Sequence, residues 1–238
     1  MAQTIAEKTR ELQQLAPDVW TMSYPLSVLG DEHGRVVTIL GLASGKLIIH
    51  STGPFSPKDV AAIHELGHPA WLVETSLIHD TFAREGRAAF PDLPYLGPPG
   101  LEKILRQPVE PLTNSPLEWR GEVDVFELAG MPRVREFIFL HRPSGTLVVG
   151  DFLQNFMEDE TRWEHLVRHY ALDLKEHPDV PRLFRHMVKD RGSFESSLRM
   201  LLSCDFERVI VGHKHPVEQN AKFRVEQALR HAFPHLKF

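Results

Sequence analysis

Thr146-Leu147-Val148-Val149-Gly150-Asp151 is an apolar, β-branched run that ends on a carboxylate. Three further runs share this plan. Lys46-Leu47-Ile48-Ile49 ends at His50, Trp71 to Ile78 runs into His79, and Arg208-Val209-Ile210-Val211-Gly212 ends at His213. Such runs read as buried strands. In a sheet flanked by helices, ligand sites gather beyond the carboxyl ends of the strands. Strands that share a sheet and a direction bring two or three of these side chains together. Imidazole and carboxylate are ligands for zinc or iron. The pattern therefore predicts a metal site assembled from distant parts of the chain.

Working outward, Val19 to Leu26, Val36 to Leu42 and Lys46 to His50 read as an antiparallel meander, with turns at Asp31 to Gly34 and Ser44-Gly45. Residues 1–17 read as a short leading helix that ends before Pro17. Ser56 is the expected N-cap, and Pro57 the first residue, of a helix to Leu66. Strand Trp71 to Val73, a helical Thr81 to Arg87, a short strand at Leu93 to Leu96 and a helix Leu101 to Leu105 follow. The second half repeats this order, with alternation over Trp119 to Leu128, a hairpin of Arg135 to Leu140 with Thr146 to Gly150, and helical sequence over roughly Met157 to Val188. A helix from Ser193 to Leu202, strand Arg208 to Val211 and a helix Val217 to Ala232 complete it. Two β-rich then αβ halves predict a mixed α/β (α+β) fold, an αββα sandwich. No linker divides residues 1–238, so one domain is expected, with 1–17 as an N-terminal extension and 152–192 as a helical insertion.

The hairpin allows a register to be counted. A four-residue loop Arg142 to Gly145 sets His141 opposite Thr146 and, without a bulge, Glu136 opposite Asp151. Directly opposed Cβ atoms lie about 4.5–5.5 Å apart. Two carboxylates that close require a cation or a shared proton, and Arg133, Arg135 or a metal are the candidates. His141 falls at the far end of the hairpin and is discounted as a ligand.

Composition narrows the function classes. The chain has 238 residues, a net charge of −5 and 14 histidines. No basic block stands out, which argues against nucleic acid as a partner. A single cysteine, Cys204, fits a reducing compartment. No signal-peptide core or membrane-length apolar run is present, so a cytoplasmic location and no membrane partner are expected. The i, i+4 pair His165 and His169 reads as a solvated helix face.

The order of these pieces resembles the metallo-β-lactamase fold from about Val19 to Ala232. Ser44 to Gly53 is similar to the segment ending in Asp-x-Gly in that superfamily, with His50 or Ser51 near the usual Asp. Glu74-Thr75-Ser76-Leu77-Ile78-His79 aligns with the His-x-His-x-Asp-His motif. Only its last His is kept, as His79; Glu74 and Ser76 replace the first two, and Ile78 replaces the Asp. In Leu128 to Pro132, Met131 stands where another His is usual. Ser144 to Asp151 resembles the strand carrying the bridging Asp, and Val211 to Pro216 the final His segment. More narrowly, Trp20 to Leu26, Gly45 to Ser51 and Phe139 to Leu147 resemble an uncharacterised offshoot of that superfamily.

The resemblance implies that the first of the superfamily's two metal sites is empty. It implies that His79, Asp151 and His213 match three of the four ligands of the second. Glu136, His215 and Asp80 are candidates for a further ligand or for a partner hydrogen-bonded to the ligands. The function implied is a mononuclear zinc- or iron-dependent hydrolase of an unidentified small ester, amide or phosphoester, with Glu74 as a candidate general base. The alternative is a non-catalytic member that binds a ligand or protein in the same cleft.

Overall fold

The computed structural model describes residues 12–28, 31–155 and 178–238. Strands β1 (Gln13–Ala16), β2 (Val19–Tyr24), β5 (Arg35–Gly41), β6 (Lys46–His50), β7 (His68–Val73), β8 (Tyr95–Gly97) and β9 (Glu110–Pro111) form one sheet in that order. The small pair β3 (Ser27–Val28) and β4 (Asp31–Glu32) interrupts the run between β2 and β5. Strands β10 (Val123–Glu127), β11 (Phe137–His141), β12 (Thr146–Val148) and β13 (Arg208–Ile210) form the other large sheet.

Alternation along the strands builds the layers, because successive side chains point to opposite faces. In β5, Val36 and Leu40 pack with Ile48, Trp71 and Val73, and with Phe137, Phe139, Val148 and Ile210 of the other sheet. Val37 and Ile39 instead join Leu47, Ile49 and Leu72 beneath Ile63 of α1 (Pro57–Leu66) and Ala83 of α2 (Ala83–Ala89). In the second sheet, Ile138, Leu140, Leu147, Val149, Val209 and Val211 face outward. They meet Phe184 of α4 (Arg182–Met187), Phe194 and Leu198 of α5 (Arg191–Ser203), and Val225 and Leu229 of α6 (Ala221–Ala232). The short α3 (Leu101–Leu105) follows β8. Each fully buried Val, Leu or Ile contributes roughly 1.5–3 kcal/mol. The result is the expected αββα sandwich.

Local signals explain several boundaries. Ser56 Oγ accepts the Asp59 N–H at 3.3 Å and the Asp59 carboxylate accepts the Ser56 N–H at 2.8 Å, so α1 starts in a reciprocal capping box with Pro57 at its first turn. The hairpin has the counted register, His141 opposite Thr146 and Phe139 opposite Val148. The leading helix needs correction. Gln13–Ala16 is an edge strand paired with β2, turned by Asp18 at φ 58°. Glu, Leu, Gln and Ala are good helix formers, but pairing with β2 overrides that preference. Residues 1–11, most of the long helical stretch after Met157 and the His165–His169 pair lie outside the described residues.

The four strand ends do not share one sheet. β6 and β7 run parallel in the first, β12 and β13 run parallel in the second, and both pairs end at the same side of the sandwich. Two hydrogen bonds tie the sheets there, from Val36 N–H to Gly212 O and from Phe137 N–H to Thr75 O, at 2.9 and 2.8 Å.

Candidate metal centre

Asp151 and His213 each lie three residues past a strand and His79 six, in backbone that the surrounding fold pins. Leu77 N–H bonds Val134 O at 2.8 Å and Glu74 N–H bonds Leu96 O at 2.9 Å, fixing the loop that carries His79. Glu136 fixes the loop of Asp151. Its carboxylate accepts the N–H groups of Gly150, Asp151 and Phe152 at 2.9 to 3.2 Å. Phe152 is fully buried against Phe184, Phe194 and Phe233, which anchors the loop from its other side. Close approach needs glycine here. A Cβ on Gly150 would lie 2.5 Å from Thr75 Oγ1, and one on Gly212 would lie 2.8 Å from Gly150 O and 2.9 Å from His79 Nε2.

One ligand atom from each of His79, Asp151 and His213 falls within 4.8 Å of the others. Asp151 Oδ1 is 2.8 Å from His213 Nε2 and 3.6 Å from His79 Nε2. His213 Nδ1 is 2.5 Å from Gly34 O. A carbonyl only accepts, so Nδ1 carries a proton, and Nε2 is the nitrogen that faces the carboxylate. At 2.8 Å, a proton on Nε2 or a cation joins the imidazole to the carboxylate. Two imidazoles and a carboxylate are also a fitting donor set for zinc or non-haem iron.

Around His79 lies a second group of polar residues, nearly all buried. Ser51 Oγ is 3.2 Å and Glu74 Oε2 3.5 Å from Nδ1. Glu74 Oε1 accepts the hydroxyls of Thr52 and, at 3.3 Å, Tyr95. Arg35 enters from the start of β5. Its Nη1 donates to Ser51 Oγ at 3.0 Å and His79 O at 3.3 Å, and lies against both ring nitrogens of His79, 2.6 Å from Nε2. Phe82 covers the guanidinium at 5.8 Å.

The charges respond to this crowding. Burial, then the Arg35 charge, hold the His79 pKa below its ordinary value against the pull of Asp151 and Glu74. Burial alone would raise Asp151; the charge of His79, the hydrogen bond and charge of His213, and Arg35 outweigh it and hold the carboxyl below the usual range. Burial lowers Arg35 while Glu74, Asp151 and Asp80 oppose the shift. Burial and the neighbouring Asp151 push Glu136 up to about 8, against the pull of the three backbone N–H groups. One fixed cation, Arg35, thus faces the two buried carboxylates Glu74 and Asp151, which leaves room for a further positive charge.

The remaining candidates sit apart from the three-residue cluster. Glu136 lies beneath it, with both oxygens on backbone N–H groups. The cations suggested for Glu136 go elsewhere, Arg135 to Glu127 at 3.0 Å and Arg133 to an exposed position. His215 is exposed, and its backbone pairs with Asn155. Asp80 is partly buried and acts on Arg35 through its charge. His50 turns inward onto Phe139, with ring centroids 4.7 Å apart, and burial drives its pKa down to about 3. Met131 is core. Arg35 escaped the sequence reading. Its signal was a lone charge opening the otherwise apolar Val36-Val37-Thr38-Ile39-Leu40.

Solved structures share this architecture. VMB-1 aligns with a TM-score of 0.65 at 12% identity, over 94% of this chain and 98% of that one. The chain has the metallo-β-lactamase fold. The DIM-1 metallo-β-lactamase exposed to ceftazidime aligns at 0.64 and 14% identity, over 93% and 97% of the two chains. The metallo-β-lactamase from Erythrobacter litoralis aligns at 0.60 and 14%, over 97% and 99%. No family model and no characterised protein matches by sequence. Within the metallo-β-lactamase fold the cluster of His79, Asp151 and His213 lies at the common end of the two sheets. No helix among the described residues is long and apolar enough to cross a membrane.

Proposed function

We propose that this cleft is a single-ion hydrolytic centre, with one divalent zinc or iron ion held by His79, Asp151 and His213. Its substrate is a small-molecule ester, amide or phosphoester. The observation that carries the reading is the convergence of one ligand atom each from His79, Asp151 and His213 within 4.8 Å, with the other nitrogen of His213 committed to Gly34 O. When bound, the ion supplies Lewis acidity for water activation and for the charge that develops on the substrate.

The chain's own residues do the rest. Gly34 O fixes the His213 ring, as hydrogen-bonded partners of metal ligands do. Ser51 and Glu74 fix His79, and Glu136 holds the backbone that aims Asp151. His79 is 1% exposed, against 7% and 9% for His213 and Asp151, so substrate approaches from the side of the latter two. A small-molecule partner, rather than nucleic acid or a membrane, and a cytoplasmic location belong to the same reading. The free thiol of Cys204 supports the latter.

Elemental analysis of protein purified without an affinity metal, beside His213→Ala, tests the reading. About one ion per chain, lost in the variant together with activity in an esterase, amidase and phosphoesterase screen, is expected. An ion-free chain that stays ion-free after soaking with zinc and iron favours the second reading, a non-catalytic ligand- or protein-binding cleft. The contact of the Arg35 guanidinium with His79 supports that second reading.

A further inference from the structure

We propose that Arg35 is a built-in competitor for the metal, a guanidinium that occupies His79 until an ion displaces it. The proposal rests on the single-ion reading and adds to it a control on when the ion binds.

The sequence places a permanent charge at the first residue of a buried strand, and the fold leaves that side chain 1% exposed. Its Nη1 lies against both ring nitrogens of His79, nearer Nδ1 than Nε2, and donates to Ser51 Oγ and His79 O, all in the loops that carry or orient the proposed ligands. Whichever ring nitrogen carries the proton, the other nitrogen's lone pair is covered by the guanidinium. Nε2 is the nitrogen that faces Asp151, 3.6 Å away. An ion held by His79 would need the ring edge that the Arg35 head group covers.

A lysine in this place would yield by losing a proton. Arginine keeps its charge throughout the working pH range, so only movement of the whole head group clears the nitrogen. While it stays, it balances Glu74 and Asp151 in an ion-free chain. When an ion arrives, the charge that Arg35 supplied is replaced and its departure is favoured. Apparent ion affinity is then the intrinsic affinity reduced by the fraction of chains with Arg35 displaced.

The test is zinc affinity by chelator competition for the wild type, Arg35→Met and Arg35→Gln. Both variants are expected to bind at least roughly tenfold more tightly. Their zinc-free melting temperatures should be lower than that of the wild type, and zinc should raise them more. The wild type alone gives a second readout that does not depend on variant folding. The protected arginine side-chain N–H signal in a ¹⁵N spectrum should shift or vanish as zinc is added. Equal or weaker zinc binding by the variants overturns the competition and leaves the ion site standing. An arginine signal unmoved at saturating zinc does the same. Absence of zinc binding in all three chains overturns both the competition and the single-ion reading.

Discussion

The two walls of the cleft solve the same problem with different chemistry. On the second-sheet wall, Asp151 and His213 follow β12 and β13 directly, and each is held by backbone: Gly34 O on the His213 ring, and three N–H groups gathered by Glu136 beneath Asp151. On the first-sheet wall, His79 lies six residues past β7 amid side chains, with Ser51, Thr52, Glu74, Tyr95 and Arg35 in one network. Backbone anchors survive substitution of most neighbouring side chains, and this wall depends on one of them, Glu136. A side-chain network changes character when a single member changes. The second wall thus carries rigidity, and the first carries whatever tuning this cleft has.

The sharpest break of that contrast is Glu136→Ala. It orphans three buried N–H groups, each costing about 1–3 kcal/mol, so urea denaturation should show a loss of about 3 kcal/mol or more. A loss below about 1 kcal/mol would mean that the second wall is not built on this carboxylate. Next comes Asp151→Asn, expected to weaken zinc binding at least about 100-fold, roughly 2.7 kcal/mol, while leaving the fold intact by circular dichroism. Ser51→Ala, on the first wall, removes only an orienting partner and should cost about tenfold in zinc affinity. If the two variants lose affinity equally, the walls do not differ as described.

His50, buried between the sheets behind the first wall, should shape the response to acid. Its folded pKa is about 3, below the unfolded value of about 6.5. Between these limits the unfolded chain binds the extra proton, so stability is complete above about pH 6.5 and falls with acidification. The slope is up to about 1.4 kcal/mol per pH unit for this one group. His50→Leu should flatten that part of the stability–pH curve, and an unchanged slope would remove His50 from the acid response. The smallest effect is expected at Thr75, whose hydroxyl is buried without a hydrogen-bond partner. Thr75→Val should change thermal stability by less than about 0.5 kcal/mol, or raise it.

Much of the second wall was legible in the sequence. The four-residue loop after His141 set the register, and the runs ending at Asp151 and His213 placed those two side chains at one end of the sandwich. The apolar runs at β5 and β6 and the alternation over Trp119 to Leu128 announced strands, and Ser56 with Pro57 marked a helix start to the residue. The count that set Glu136 opposite Asp151 was right about neighbourhood. It did not reveal that the carboxylate turns to backbone N–H groups, because strand register fixes Cβ positions and not where a long side chain ends. The first wall was harder to read. Ser51, Glu74 and Arg35 come from the ends of β6, β7 and β5, and their encounter depends on tertiary approach that no local spacing encodes. Gln13–Ala16 failed for a related reason, since a partner strand decided what its helix-forming residues became.

A small link governs how the cleft comes into being. Gly34 O receives His213, and two residues on Val36 N–H reaches Gly212 O. The segment that carries Arg35 is therefore laced to the far ligand by bonds that require no ion. The pocket is shaped without an ion, with Arg35 packed against His79. Chains made under metal starvation should emerge already shaped, and loading becomes a late step in maturation instead of a condition for it.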